Sequence, residues 1–169
     1  DESHRLKNKS LAGGALLDLG VYPINLAAIV FGRQPESITS SANMGPTDVD
    51  LSSFYHFTYE GGKQAILYSS CIEVSPSSAQ IIGTNGHIQL PPFFHGATEF
   101  TLYVKNKEPE TFEFPCPDSE TFKFEIEHAM DCILTGKKES DVMPLSETLA
   151  IMQTMDTLRA QWGLKYDGE

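Results

Sequence analysis

One polar cluster interrupts the most apolar stretch of the chain: Asp18-Leu19-Gly20-Val21-Tyr22-Pro23. A carboxylate buried there unpaired would be expensive, so Asp18 has to cap a helix, pair with a cation or take part in chemistry. Tyr22 can pass a proton. A phenol with an ordinary pKa near 10 is nevertheless a poor acid–base group at neutral pH unless a cation favours phenolate. The alternative for Tyr22 is a core tyrosine whose hydroxyl reaches a backbone carbonyl. Other chemistries lack their residues. Gly13-Gly14 and Gly20 have the wrong spacing for a strand-to-helix pyrophosphate turn, and no Walker-type loop occurs. His4, His56, His87, His95 and His128 are scattered without metal-ligand spacing, so no metal site is expected. Dispersed Ser, His and Asp residues support no triad. His128, near Glu125 and Asp131 at helical offsets, reads as part of a solvated helix face.

The elements that must position this cluster follow from periodicity. Between Leu11 and Gly32 the apolar residues Leu16, Leu17, Leu19, Val21, Ile24, Leu26, Ile29, Val30 and Phe31 are too dense for a surface helix, so a largely buried helical stretch is expected. Pro23 removes a ladder bond and should kink or restart that helix near Val21–Tyr22, and Gly32 should stop it. A strand-rich zone follows, with segments Glu36–Asn43, Val49–Tyr59, Lys63–Glu73, Ser78–Thr84, Gly86–Leu90, Thr98–Val104 and Thr111–Phe114. Glu60-Gly61-Gly62-Lys63 marks a turn, and Asn85-Gly86 marks a two-residue hairpin in which both residues need positive φ. Tight turns between consecutive strands imply a mostly antiparallel sheet. Both faces of the second and third segments are partly apolar: Leu51, Tyr55, Phe57 and Tyr59 oppose Phe54 and His56, and Ala65, Leu67 and Cys71 oppose Ile66, Tyr68 and Ile72. Helices on one face and a second copy of the sheet on the other would account for that, giving a two-fold dimer; a mildly apolar solvated face is the alternative. Two closing helices are expected. One is capped by Ser119 or Thr121, striped by Phe122, Ile126, Met130, Ile133 and Leu134, and ended by Gly136. The other is capped by Ser146 and striped by Leu149, Met152, Met155, Leu158 and Trp162.

The 169 residues suffice for one domain, and 40% hydrophobic composition supports a core. Twelve Lys and Arg against 23 Asp and Glu give a net charge of −11, which disfavours nucleic acid and anionic membranes as partners. No apolar run reaches the roughly 20 residues of a membrane span. Three widely spaced cysteines, Cys71, Cys116 and Cys132, imply free thiols in a reducing cytoplasm. The Asn8-Lys9-Ser10 sequon, without a secretory signal, reads as chance. The chain opens on Asp1-Glu2-Ser3-His4-Arg5-Leu6-Lys7 without an initiator Met, so a piece of a longer protein is expected.

Leu11-Ala12-Gly13-Gly14-Ala15-Leu16-Leu17-Asp18-Leu19-Gly20-Val21-Tyr22-Pro23-Ile24-Asn25 resembles the segment that opens the C-terminal domain of the glucose-fructose oxidoreductase / inositol dehydrogenase / rhizopine catabolism (Gfo/Idh/MocA) family. Phe31-Gly32 with Pro35-Glu36-Ser37-Ile38, the Glu60-Gly61-Gly62 turn, Ile82-Gly83-Thr84-Asn85-Gly86 and Pro144-Leu145-Ser146-Glu147 follow in the family's order. The resemblance covers nearly the whole chain and is nearest to the dimeric dihydrodiol dehydrogenase and D-xylose dehydrogenase branch.

The resemblance implies an α+β domain over residues 1–169: a large open, mostly antiparallel (mixed) sheet with helices on one face, of the dihydrodipicolinate reductase-like type. Such a domain lines the substrate site and forms a homodimer through the sheet, while an N-terminal Rossmann domain, absent here, binds most of the NAD or NADP. Hydride then passes between nicotinamide and a sugar or cyclic trans-diol, and the isolated piece is inactive. Tyr22 matches the branch's acid–base tyrosine. A Lys of a Glu-Lys-Pro motif in the Rossmann half, together with the oxidised nicotinamide, would favour its phenolate. Asp18, Arg5, Asn25 and Phe122 are the substrate-binding candidates. Arg5 is also a cofactor candidate; Asn8 and Asn25 are the weaker site candidates. NAD cannot be distinguished from NADP without the other half. The alternative is a non-catalytic ligand-binding or dimerisation module with the same fold.

Overall fold

The computed structural model describes residues 4–32, 34–117 and 122–169. Alternation and turn chemistry dominate its architecture. Short connections allow consecutive strands only antiparallel pairing, and every observed pairing is antiparallel. β1 (Ser37–Met44), β2 (Asp50–Tyr59) and β3 (Lys63–Ser70) form a three-stranded sheet in that order. β4 (Ala79–Ile82), β5 (Gly86–Leu90), β6 (Glu99–Val104) and β7 (Glu110–Glu113) form a second sheet, also in chain order. The α+β class stands, but the strands divide between two antiparallel sheets instead of one large mixed sheet. The ladder ends at Ser70, beyond which Glu73 gathers the hydroxyls of Tyr68 and Ser70 and Pro76 offers no donor.

The chain divides into two compact units, Asp1–Val74 with Pro144–Glu169, and Ser75–Met143. In the first, the helical stretch has three textures. Two short 3-10 turns, Arg5–Lys7 and Lys9–Leu11, precede a π-helical turn, Leu16–Gly20, which runs into α1, Val21–Phe31. The kink or restart expected near Val21–Tyr22 falls at Val21, with Pro23 in the first turn of α1, where its missing N–H is tolerated. Gly32 ends the helix at φ 65°. Burial is one-sided: Ala15, Leu16, Ile24, Ala27 and Ala28 are inside, whereas Ile29 and Val30 are exposed. The stretch is thus less buried than its composition suggests.

The helical run Lys9–Phe31 also spans 23 residues at mean hydropathy 1.7, enough by length and composition to cross a bilayer, contrary to the sequence reading. Its buried face against protein and the ion-paired Asp18 near its middle are the features of a core helix. α3, Leu145–Trp162, returns to the same unit. Pro144 precedes its first residue, so Ser146 lies inside the first turn and does not cap. Met155 and Leu158 are buried, but Leu149 and Met152 are not; Ile151 and Thr154 take their places inside. Tyr55, Phe57 and Tyr59 on one face of β2 are fully buried, Tyr59 stacking on Phe31 at 4.1 Å and Tyr55 on Trp162 at 6.0 Å.

In the second unit, α2 (Lys123–Leu134) is followed by Gly136 at φ 72°. Its expected core stripe, Phe122, Ile126, Met130, Ile133 and Leu134, is exposed. The proposed caps Ser119 and Thr121 lie outside the described residues. The β4–β5 connection is not the expected Asn-Gly turn: neither Asn85 nor Gly86 has positive φ. Gly86 is needed for space instead, since a Cβ there would run into the Tyr103 carbonyl of β6. The positive-φ turn is Gly61-Gly62, at 76° and 75°, between β2 and β3.

Candidate active-site segment

The geometry of the cluster begins with Gly13-Gly14. The segment before them folds back on itself, the Gly14 N–H donating to Leu6 O at 2.8 Å and the Gly13 N–H to Asn8 O at 2.9 Å. A Cβ on Gly13 would lie 2.6 Å from Arg5 O and 2.7 Å from Asn8 O, so only glycine lets the Arg5 turn close. Gly14 sits at φ 120°, where L side chains are strained, and a Cβ there would strike Asp50 Oδ1. The fold-back brings Arg5 Nη2 to 2.8 Å from Asp18 Oδ1. Asn8 is used locally: its Oδ1 accepts from the Ser10 N–H at 3.0 Å and from the Ser10 hydroxyl at 2.8 Å.

The helix start has no side-chain cap of its own. Its cap comes from 34 residues downstream: the Leu16 N–H donates to Asp50 Oδ2 at 2.8 Å. A carboxylate at this end of a helix meets free N–H groups and the positive end of the dipole. Asp50 is fully buried. Ser53 Oγ donates to Oδ2 at 3.2 Å and shares a 3.0 Å hydrogen bond with Tyr55 Oη, which also meets Ser69 Oγ. Asp50 Oδ1 is buried without a partner. Burial pushes the Asp50 carboxyl up from 3.8 to about 6, against the lowering effect of the Leu16 amide and Ser53 hydroxyl. Burial likewise pushes the Tyr55 hydroxyl up to about 12.

A carboxyl whose pKa is higher folded than unfolded contributes stability that is present below the unfolded value and lost as pH rises through the folded one. For Asp50 that window is 3.8 to about 6. The wild-type unfolding free energy, less that of Asp50→Asn, should therefore rise by roughly 1 kcal/mol on going from about pH 7.5 to about pH 5. Parallel curves from denaturant titrations of the two proteins would contradict this.

Asp18, Tyr22 and Asn25 follow one another at helical spacing of four and three residues, the arrangement that places side chains on one face. Tyr22 is 44% exposed in the first turn of α1. Asn25 Oδ1 is a buried acceptor without a hydrogen-bond partner. Gly20, within the motif, is a contact residue: a Cβ there would stand 2.7 Å from Tyr55 Oη and 3.2 Å from Ser69 Oγ. The structure pairs Arg5 with Asp18 in the π-helical turn and carries Tyr22 and Asn25 on α1, which continues from it. Phe122 belongs to the second unit, immediately before α2, and is 69% exposed. Asp50, which caps the whole segment, is the residue the sequence reading missed.

Elsewhere His128 is not the solvated residue expected. It is half-buried, with Nε2 2.7 Å from Ser140 Oγ and 3.6 Å from Cys132 Sγ. His128, Cys132 and Asp141 offer ligand atoms within 4.8 Å of one another. Each already has a protein partner, both Asp141 oxygens meeting Lys137 Nζ at 2.9 and 2.8 Å, so the group reads as a structural tie between α2 and the loop after it.

Residues 1–89 match the model of the GFO/IDH/MocA C-terminal domain. Among similar proteins, the chain is 35% identical over 170 residues to a trans-1,2-dihydrobenzene-1,2-diol dehydrogenase of Xenopus tropicalis, covering 96% of this chain and 51% of that protein. It is 29% identical over 172 residues to the Homo sapiens protein of the same name, covering 96% and 50%. The chain spans about half the length of the curated relatives it matches. Among solved structures, an aldose-aldose oxidoreductase from Caulobacter crescentus complexed with glycerol superimposes with a TM-score of 0.80 at 19% identity, over 96% of this chain and 50% of that one. A 3-ketoreductase from Actinomadura kijaniata in complex with TDP-benzene and NADP gives 0.71 at 21% identity, over 87% and 46%. At these identities the structural likeness speaks for the fold.

Proposed function

We propose a function from one premise, that the chain belongs to the GFO/IDH/MocA family, whose C-terminal domain it carries. It forms the substrate-lining part of a nicotinamide-dependent oxidoreductase acting on a CH–OH group of a sugar or cyclic trans-diol. The observation that carries this reading is the Arg5–Asp18 pair at 2.8 Å, in the turn that runs directly into the helix bearing Tyr22 and Asn25. The names of the amphibian and human relatives support a diol, and that of the Caulobacter structure a sugar.

A bound nicotinamide supplies the hydride acceptor in oxidation and the donor in reduction. The residues of this chain suit the reacting end of such a cofactor and not its phosphates: the Leu16 amide at the helix start is already filled by Asp50. Arg5, with an exposed guanidinium, is the residue proposed to touch the cofactor. Tyr22 Oη takes the hydroxyl proton when the alcohol is oxidised and returns it to the carbonyl oxygen in reduction. Arg5 is committed to Asp18, so the positive charge that favours phenolate at Tyr22 comes from outside this chain. Asp18 and the spare Asn25 Oδ1 accept hydroxyl groups next to the reacting carbon, a pattern suited to vicinal diols. The test is a panel of pyranoses and cyclic trans-diols with NAD and NADP, using protein that includes the nucleotide-binding half and following reduced-nicotinamide absorbance. Turnover of a member of either class is the expected result. Inactivity across the panel, with cofactor bound, would sink the reading.

The assembly is proposed as a homodimer through the open face of the three-stranded sheet, in the cytoplasm, where three free cysteines stay reduced. Phe54 and Ile66 on that face are exposed, Ile66 by 79%, and Phe54 packs on Tyr68 at 4.5 Å. Aromatic and aliphatic side chains left open on neighbouring strands are the raw material of a self-complementary interface. Ile66→Asp should convert the dimer to monomer at micromolar concentration, as read by light scattering behind size exclusion. A wild type that is itself monomeric would end the dimer proposal.

A further inference from the structure

The Asp50 carboxylate does two jobs at one place. It closes the sheet end of β2, and it holds the first free amide of the helix, from Leu16 N–H to Oδ2 at 2.8 Å. Because the helix start lacks a side-chain cap of its own, Asp50 is the side chain that marks where its first turn begins. Gly14, at φ 120°, leaves open the space that Asp50 Oδ1 occupies. Tyr166 closes the loop by donating from its hydroxyl to Gly13 O at 2.6 Å. One turn further on stand Asp18 and then Tyr22.

We propose that Asp50 is a positioning residue of the reaction site: by holding the Leu16 amide it sets the rotation of the helix face that carries Asp18, Tyr22 and Asn25. This rests on the reading of Tyr22 as the acid–base group. The titratable groups around Asp50 come from three directions: Tyr55 on β2, Cys71 just past β3 and Tyr166 from the C-terminal segment. Burial pushes both tyrosines up to about 12 and raises the Cys71 thiol, so all three are neutral at neutral pH. Two cations act on these neighbours, Lys7 on Cys71 and Arg159 on Tyr166, and neither is among the causes that shift Asp50 itself. The carboxylate is therefore held by hydrogen bonds to the helix and Ser53, and its direct geometric effect is on the helix.

The test uses active protein that includes the nucleotide-binding half, with the substrate it turns over. Asp50→Leu removes the acceptor with a larger, apolar side chain; it should lower kcat at least about tenfold while the KM for the nicotinamide cofactor moves less than about twofold. Asp50→Asn, which still offers an oxygen to Leu16, should stay within about threefold of wild type. In a Tyr22→Phe background, adding Asp50→Leu should cost less than about a further twofold, because Asp50 acts through Tyr22. Unchanged kcat in folded Asp50→Leu, or losses that multiply in the double variant, would overturn the proposal. Should Asp50→Leu not fold, Asp50→Ser, too short to reach Leu16, takes its place under the same thresholds. A catalysis-free readout separates this proposal from the reading beneath it. Amide hydrogen exchange over residues 16–22 should quicken at least about tenfold in Asp50→Ser and not in Asp50→Asn. Equal exchange refutes the positioning role whatever Tyr22 does, whereas a harmless Tyr22→Phe refutes only the acid–base assignment.

Discussion

Replacing Tyr22 by Phe should lower kcat of the assembled enzyme at least about a hundredfold and leave substrate KM within a few-fold, the scale of a lost general acid–base. The substitution removes one oxygen and keeps the ring. Tyr22 is 44% exposed at the first turn of α1, so the unfolding free energy should move by no more than about 0.5 kcal/mol. That pairing of a large kinetic loss with intact stability separates catalysis from a core role, for which the two effects would be reversed. A fall of only a few-fold in kcat would remove Tyr22 from the chemistry. Steady-state kinetics beside a thermal melt of the same preparation decide it.

Gly14→Ala should destabilise the chain by roughly 3 kcal/mol or more. Two costs coincide. At φ 120° an alanine is strained whatever the space around it, and the new methyl group would strike Asp50 Oδ1. Asp50 cannot yield easily, since its other oxygen is engaged by Leu16 and Ser53. Gly32 offers a comparison in which both costs are smaller: its φ is 65°, within the ordinary left-handed region, and nothing lies within 4 Å of a Cβ there. Gly32→Ala should lose only about 1 kcal/mol. Equal losses in denaturant titrations would show that the Asp50 contact contributes nothing.

Much of this was legible from residue order. Strand positions, the restart at Val21 and the stop at Gly32 follow from periodicity and from the covalent limits of proline and glycine. The need for Asp18 to find a partner was readable too, and Arg5 supplies it. Asp50 was not legible, for a definite reason. Strict alternation back from the buried Tyr55 puts Ser53 and Leu51 inside and Asp50 outside. The register shifts between Asn43 and Met44, where Met44 pairs with Asp50 and Leu51 is skipped. That bulge turns Asp50 inward, and a bulge leaves little trace in a single sequence. The α2 stripe failed differently: helical spacing of Ile126, Met130 and Ile133 defines an apolar face, but says nothing about what covers it.

The first unit is discontinuous in the chain, Asp1–Val74 with Pro144–Glu169. Its closing ties span long stretches: Thr154 to Gln34, Trp162 to Ser40, and Tyr166 to Gly13. During synthesis the β1–β3 meander can pair as soon as it emerges, because its contacts are local. The hydrogen bond that latches the Gly13-Gly14 turn must wait for Tyr166, made 153 residues later, an interval of roughly ten to thirty seconds at ordinary elongation rates. The segment bearing Tyr22 therefore gains its Asp50 cap early and its Tyr166 latch last, and a ribosome-stalled chain ending before residue 144 should present it to proteases and chaperones unlatched.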